Sequence, residues 1–328
     1  MRIPITSPIQ SKPWLPLLLL SAAFSAGAAE HDPFVKRESP PLVGRWDMKV
    51  RDGGGEYPSW LEVRQSGFRT FIGAYVGQFG SARSIGNVEW DDASGRFRFV
   101  LPPQWEHRTN DIVFTGRFEG DVLHGETSDD QGKVITWEGR RAPSLTRAQP
   151  PKWGKPIALF NGRDLTGWKS RHAGASHGWR VEKGCLTNAV PGNDIVTEAQ
   201  FTDFKLHAKF RYPAKSNSGI YLRGRYEVQI EDNFGKDTDS HYIGGVYGFL
   251  TPRVNAARRA DEWQTLDITL VGRVVTVVLN GEPIIERQAI PGITGGAMDS
   301  DEDKSGPILI QGDHGPIEFS ELTLIPAK

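Results

Sequence analysis

The stretch Ser218-Gly219-Ile220-Tyr221-Leu222-Arg223-Gly224-Arg225-Tyr226-Glu227-Val228-Gln229-Ile230-Glu231-Asp232 alternates apolar and polar residues almost without a break. A period of two belongs to a β-strand, which sends successive side chains to opposite faces. Ile220, Leu222, Tyr226, Val228 and Ile230 then share one face, which reads as core. Tyr221, Arg223, Arg225, Glu227, Gln229 and Glu231 share the other, where two guanidiniums, two carboxylates and an amide meet an aromatic ring. An aromatic platform beside fork-shaped donors suits a pyranose, with its apolar ring face and rim of hydroxyls. The plainer reading is a solvated sheet face whose Arg and Glu side chains pair across strands, each pair giving a few tenths of a kcal/mol.

Outward from this stretch the same texture continues. Phe204 to Tyr212, Trp263 to Val271, Val274 to Leu279 closed by Asn280-Gly281, Ile308 to Gln311 and Ile317 to Ile325 read as strands, with one short helical candidate near Val254 to Ala260. That number of strands over residues 153–328 fits a two-sheet sandwich. Upstream, Trp46 to Val50, Trp60 to Val63, Phe68 to Val76, Asn87 to Trp90, Arg96 to Leu101, Ile112 to Phe118, Val122 to Glu126 and Val134 to Glu138 are short segments between glycine turns. They predict a small lipocalin-like β-barrel or sandwich over residues 30–143. The proline-rich residues 144–152 read as a linker. The fold class is all-β.

The first 29 residues have the layout of a secretory leader: Arg2 and Lys12, an apolar run from Trp14 into Phe24, then Ala26-Gly27-Ala28-Ala29. The run is too short for a bilayer core of roughly 30 Å, which predicts cleavage near Ala28 or Ala29 and a periplasmic or secreted protein without a membrane span. No cysteine follows the run for lipid attachment. Cys185, the sole cysteine, allows no internal disulfide. With 39 basic and 40 acidic residues and no long run of either sign, sequence-wide attraction to nucleic acid or anionic membrane is not expected.

Gln311-Gly312-Asp313-His314-Gly315 follows an apolar strand and lies between glycines, a place where reactive groups are presented without disturbing a core. In the first domain Trp60, Trp105, Arg83 and Glu106 are candidates to line a sugar-binding mouth or to plug a small barrel. A third option is that this domain packs on the second and completes its cleft.

Four blocks in order carry a resemblance. Ile157-Ala158-Leu159-Phe160-Asn161-Gly162-Arg163-Asp164-Leu165-Thr166-Gly167-Trp168 opens it. Asn217 to Arg223 with Tyr226 to Ile230, then Glu262-Trp263 with Leu279-Asn280-Gly281, then Gly306-Pro307-Ile308 with Gln311 to Gly315 complete it. From about Lys152 to the end the chain resembles the 3-keto-disaccharide hydrolase domain family. The resemblance implies a concanavalin A-like jelly-roll sandwich whose concave side carries the polar strand and the Gln311-to-His314 loop.

It also implies a substrate: a glycoside oxidised to a ketone at C3, supplied by an upstream sugar oxidoreductase. Such a ketone acidifies the hydrogen on C2, so the C1 leaving group departs by elimination through an enolate, and water adds afterwards. The chemistry asks for a base near C2, a stabiliser for the C3 oxygen and an acid at the leaving oxygen. Glu227 or His314 is the expected base and Arg223 the enolate stabiliser. Asn217, Tyr221, Arg225, Gln229, Glu231, Asp232, Gln311, Asp313 and Trp263 are the expected substrate-binding residues. No compact ligand spacing demands a metal, although Glu231, Asp232, Asp313 and His314 offer donors to calcium or magnesium. Two rivals stand beside this reading. An ordinary glycosidase is disfavoured because Glu227 and Glu231 lie about 13 Å apart on an ideal strand, against about 5.5 Å for a retaining pair. A non-catalytic carbohydrate-binding module would bind glycan without turnover.

Overall fold

The computed structural model describes residues 38–104, 106–175 and 177–328. The expected leader and Trp105 lie outside them. The described residues contain no α-helix, and residues 254–260 are irregular, so the short helical candidate there is not formed. Among the described residues no helix is long and apolar enough to cross a membrane.

Nine strands form the first sheet: β1 Gly44–Arg51, β2 Glu56–Ser66, β3 Thr70–Val76, β4 Arg83–Ile85, β5 Val88–Asp91, β6 Arg96–Leu101, β7 Ile112–Glu119, β8 Val122–Ser128 and β9 Val134–Arg141. Their order is β4-β3-β2-β1-β9-β8-β7-β6-β5, every pair antiparallel. The two ends of this meander come together, β3 against β5 and β4 against β6, so the sheet closes as a barrel. Alternate residues such as Trp46, Met48, Leu61, Val63, Phe97, Phe99 and Phe114 fill its interior.

Thirteen strands follow: β10 Ile157–Ala158, β11 Trp168–Ser170, β12 Trp179–Glu182, β13 Cys185–Asn188, β14 Ile195–Thr197, β15 Phe204–Arg211, β16 Asn217–Leu222, β17 Tyr226–Glu231, β18 Gln264–Val271, β19 Val274–Leu279, β20 Glu282–Ala289, β21 Leu309–Ile310 and β22 Ile317–Pro326. They make a larger sheet, β12-β13-β22-β15-β18-β19-β20 with β10 on β22, and a smaller one, β11-β14-β21-β16-β17. Phe204, Leu206, Ala208 and Phe210 of the larger sheet interlock with Ile195, Ile220, Leu222, Val228, Ile230 and Ile310 of the smaller in one core. This is the jelly-roll sandwich.

Trp60 and Leu61 are consecutive and both fully buried, on opposite faces of β2. Leu61 points into the barrel, whereas Trp60 points out of it and joins the sandwich core with Val76, edge-on to Phe249 at 5.4 Å. Trp60 therefore neither lines a mouth nor plugs the barrel; it is a shared core residue. Residues 143–147 are pinned as well: Arg273 donates to the Pro143 carbonyl, and Arg147 forks onto Asp203 at 2.6 and 3.0 Å. Between the units lies a buried charge cluster. Glu302 accepts from the Tyr226 hydroxyl at 2.6 Å and pairs with Arg273 at 2.9 Å, and Asp47 of β1 faces the same carboxylate.

Candidate active site

The outer face of the smaller sheet is set by register. Tyr221 is opposite Glu227 on one side and Leu309 on the other, and Leu309 is opposite Val196. One row therefore reads Val196, Leu309, Tyr221, Glu227. Two residues along, Gly219 is opposite Gln229 and bonded to Gln311, while Arg171 bonds the Asp194 backbone, giving Arg171, Asp194, Gln311, Gly219, Gln229. At the rim Asn217 pairs with Glu231. Tyr221, Val196 and Leu309 pack beneath Met298 as a small apolar island beside these polar groups.

The quoted stretch is a hairpin and not one strand. Leu222 and Arg225 close a two-residue turn, with Arg223 and Gly224 at φ +55° and +68°, the backbone such a tight hairpin demands. Folding back keeps the parity of Tyr221, Glu227, Gln229 and Glu231, so these four share the expected face. The turn residues leave it. Arg223 lies against the Tyr226 ring, donating to the Tyr226 hydroxyl at 3.0 Å and to the carbonyls of Gly272 and Glu302. It is thus on the core side, away from Glu227, and cannot serve the enolate. Arg225 is consumed by Asp299 at 2.6 Å and by the Lys304 carbonyl.

Two other expected residues also fall elsewhere. Asp232 lies beyond the end of β17, where its carboxylate caps the Lys215 amide at 2.8 Å. Trp263 stacks with Arg211 at 4.8 Å on the exposed back of the larger sheet, the face opposite the cleft, because alternation on β15 sends Lys209 and Arg211 outward. With Asp232 engaged in that turn and Asp313 holding His314, the four donors considered for a cation do not converge. Among the described residues no group of three His, Cys, Asp or Glu is placed to hold a metal.

Glu227 sits on the floor, 4% exposed. Its Oε2 is 2.9 Å from the Tyr221 hydroxyl, which is also 3.0 Å from the Gly295 carbonyl. Space for the carboxyl exists only because residue 219 is glycine: a Cβ there would come within 2.3 Å of Glu227 Oε1. Burial pushes the Glu227 pKa up to about 8; the Tyr221 hydrogen bond and His314 pull it down, while Asp194 and Asp313 push it further up. A hydroxyl has one proton to give. While Glu227 is protonated, it donates to Tyr221, which donates on to Gly295.

His314 stands at the rim, half-exposed, its Nδ1 2.5 Å from Asp313 Oδ1. That hydrogen bond raises the imidazole above its ordinary value and lowers Asp313 below its own, and Glu227 and Asp194 raise the imidazole further. The loop carrying the pair is tightly tied. Asn188, fully buried, donates to the Gly312 carbonyl at 2.7 Å, Asp194 accepts from the Gly312 amide at 3.0 Å, and Ser218 donates to the Gln311 carbonyl at 2.9 Å. Asp194 is fixed in turn by Arg171 at 2.9 Å. Gln311 Oε1 is buried without a partner, an acceptor left for a ligand hydroxyl.

Arg171, Asp194 and Asn188 were not among the sequence candidates. Tyr247, whose amide donates to the Glu227 carbonyl and whose ring meets His241 edge-on, was missed too.

Comparisons with known proteins bear on the same half of the chain. No protein with a curated description matches. Among solved structures, a proposed glycosyl hydrolase from Parabacteroides distasonis is 30% identical, with TM-score 0.46, over 55% of this chain and 92% of its own. A second from that organism is 20% identical at TM-score 0.44, over 53% and 94%. A carbohydrate-binding module, CBM66 from Bacillus subtilis, is 12% identical at TM-score 0.34, over 48% and 94%. The sequence profile of a carbohydrate-active family, the 3-keto-alpha-glucoside-1,2-lyase-like domain, matches residues 155–325. That span is more than half of the 328 residues and contains the hairpin, the histidine loop and the Gly219 gap under Glu227; the chain belongs to this family.

Proposed function

We propose that the protein cleaves 3-keto-glycosides by elimination, with His314 as base and Glu227 as acid. The observation that carries this division is a fully desolvated carboxyl facing a histidine–aspartate pair across one sheet face. Burial keeps the proton on Glu227 at neutral pH, so Glu227 is the donor. His314 gives its Nδ1 to Asp313, which leaves Nε2 to take a proton.

His314 Nε2 removes the C2 proton, and the C–H electrons form the C2–C3 enolate. Those electrons then return to make the C1–C2 double bond and the C3 ketone as the C1–O bond breaks, and the leaving oxygen takes the Glu227 proton. Water adds to C1 in a later step. Arg171, on this face where Arg223 is not, is bonded to Asp194 and the Ala297 carbonyl but stays 20% exposed where Arg225 is 2%, and supplies positive charge near the C3 oxygen, while Gln229 and Gln311 orient hydroxyls. The ketone presupposes an oxidoreductase acting at C3 of the parent sugar, and the leader-like N-terminus supports an exported site of action.

The test is incubation of the purified protein with a 3-keto-disaccharide and its unoxidised parent, followed by mass spectrometry in heavy water, with and without chelator. Cleavage of the keto form alone, with deuterium gained at C2, is the expected result. Cleavage of the parent would move the protein to ordinary glycoside hydrolysis, and glycan binding without cleavage of either would make it a binding module.

A further inference from the structure

The matched family begins at residue 155 and leaves the barrel without a role. The barrel nevertheless reaches the cleft. Its β3–β4 loop, residues 77–82, lies against two segments of the sandwich that flank Glu227. At Gly295 a Cβ would come within 2.1 Å of the Gly80 carbonyl, and at Gly248 within 2.5 Å of the Ser81 side chain. The Gly296 amide donates to the Gln78 carbonyl at 2.8 Å. Beside them the Trp60 indole fills the space a side chain at Gly292 would need, with 2.2 Å between Nε1 and such a Cβ.

Both gripped segments serve the floor of the cleft. The Gly295 carbonyl accepts from Tyr221, the partner of Glu227. Tyr247, next to Gly248, bonds the Glu227 backbone. On the sandwich side residues 292–298 are tied by the Thr294 and Met298 amides, which donate to the carbonyls of Arg225 and Gly224, and by Thr294 Oγ1, which accepts from the Glu227 amide. The Gln78 carbonyl is their anchor on the other side.

We propose that the barrel is a working part of the active site: its β3–β4 loop holds residues 292–298 where the Gly295 carbonyl meets Tyr221, and so fixes the hydrogen bond between Tyr221 and Glu227. The loop is a positioning element and touches no reacting atom. The proposal rests on Glu227 being the acid of the reaction. When the brace shifts, the Tyr221 hydroxyl loses its second acceptor and donates to Glu227 alone, which stabilises the carboxylate and lowers the pH at which Glu227 gives up its proton. The other groups facing Glu227 are His314, Asp313, Asp194 and Tyr247, with Arg171 behind Tyr221, and none of them belongs to the barrel.

The experiment uses the full chain with Gly295→Ala, which wedges a methyl against the Gly80 backbone, and Ala82→Leu, an overpacking from the barrel side where Ala82 packs on the sandwich core. Phe68→Ala, an exposed position in the turn at the opposite end of β3, is the control. Two readouts are taken: the pH profile of kcat/KM on a 3-keto-disaccharide, and the titration of the isotope-labelled Glu227 carboxyl by NMR. Both interface variants should lower kcat about tenfold or more and move the Glu227 titration down by roughly half a pH unit or more, with Phe68→Ala superimposed on the parent. An unshifted Glu227 titration in whichever interface variant folds would overturn the proposal, whatever happens to the melting temperature. If the parent itself leaves the keto-disaccharide intact, the reaction assignment fails, and the NMR titration still decides the brace.

Discussion

Glu227 titrates at about 8 and His314 above the ordinary imidazole value, and these two protonations set the pH behaviour expected of the enzyme. The base must be free and the acid loaded. Activity should rise as His314 loses its proton, above the ordinary imidazole value because Asp313 holds it up, and fall as Glu227 ionises at about 8. The expected kcat/KM profile is a bell. Glu227→Gln should lower kcat by about a hundredfold or more and abolish the alkaline limb. Asp313→Asn removes the anion that raises His314, so the acid limb should move to lower pH while the plateau rate drops; a limb that stays put would separate Asp313 from the base. Strand parity put Glu227 on the polar face, where the structure has it, and the glycine-flanked loop drew notice to His314; the roles proposed for them came with the family resemblance. Arg223 was misassigned because parity counts only while the chain is extended, and residues 223 and 224 reverse its direction. Arg171 and Asp194 escaped because they flank β11 and β14, strands of three residues each, too short to show a period.

At the level of the element, the hairpin β16–β17 does two jobs with its two faces. Ile220, Val228 and Ile230 lock it into the core, which keeps the row Tyr221, Glu227, Gln229 in place. Gly219 connects the jobs, since the cross-strand carboxyl occupies the volume a side chain would take. Gly219→Ala should therefore act on chemistry more than on folding. It should lower kcat by about tenfold to a hundredfold and cost roughly 1–3 kcal/mol of stability, measured by steady-state kinetics and denaturant unfolding of the same sample. Near-normal kcat would mean that the carboxyl can work from a different rotamer. Alternation made β15 to β19 and β22 readable, along with eight of the nine barrel strands, whereas β4 and β20 were not read as strands, and pairing of β21 with both β14 and β16 involves only two residues and exists through tertiary packing alone.

On the scale of the whole molecule, barrel and sandwich meet through a charge cluster that is sensitive to pH. Burial and the facing Glu302 carboxylate raise Asp47 from 3.8 to about 9. The folded state thus keeps a proton that the unfolded chain releases, so this group lowers stability as pH rises from about 4 towards 9 and has no further effect above that. Asp47→Asn, which mimics the protonated form, should match the parent near pH 4 and melt higher near pH 9, by about 2–4 °C for each kcal/mol relieved. Equal melting curves at pH 9 would show that Arg273 already neutralises the pair. The sequence offered docking of the two units only as one option among three. Trp60, buried on the outer face of a strand, shows that the two units pack together; the sequence did not reveal this, because outward apolar side chains cannot be told from inward ones when neighbouring residues on a strand are both large and apolar.

The barrel begins and ends on adjacent strands: Trp46 of β1 is paired with Arg141 of β9. The chain enters and leaves at the same end of that pair, so tension applied across residues 44 and 141 loads its hydrogen bonds one after another, as in opening a zip, and not all together in shear. Held at those two points in an optical trap, the barrel would peel open at low force, while the same barrel pushed sideways would have to tear its outward tryptophan from another domain's core.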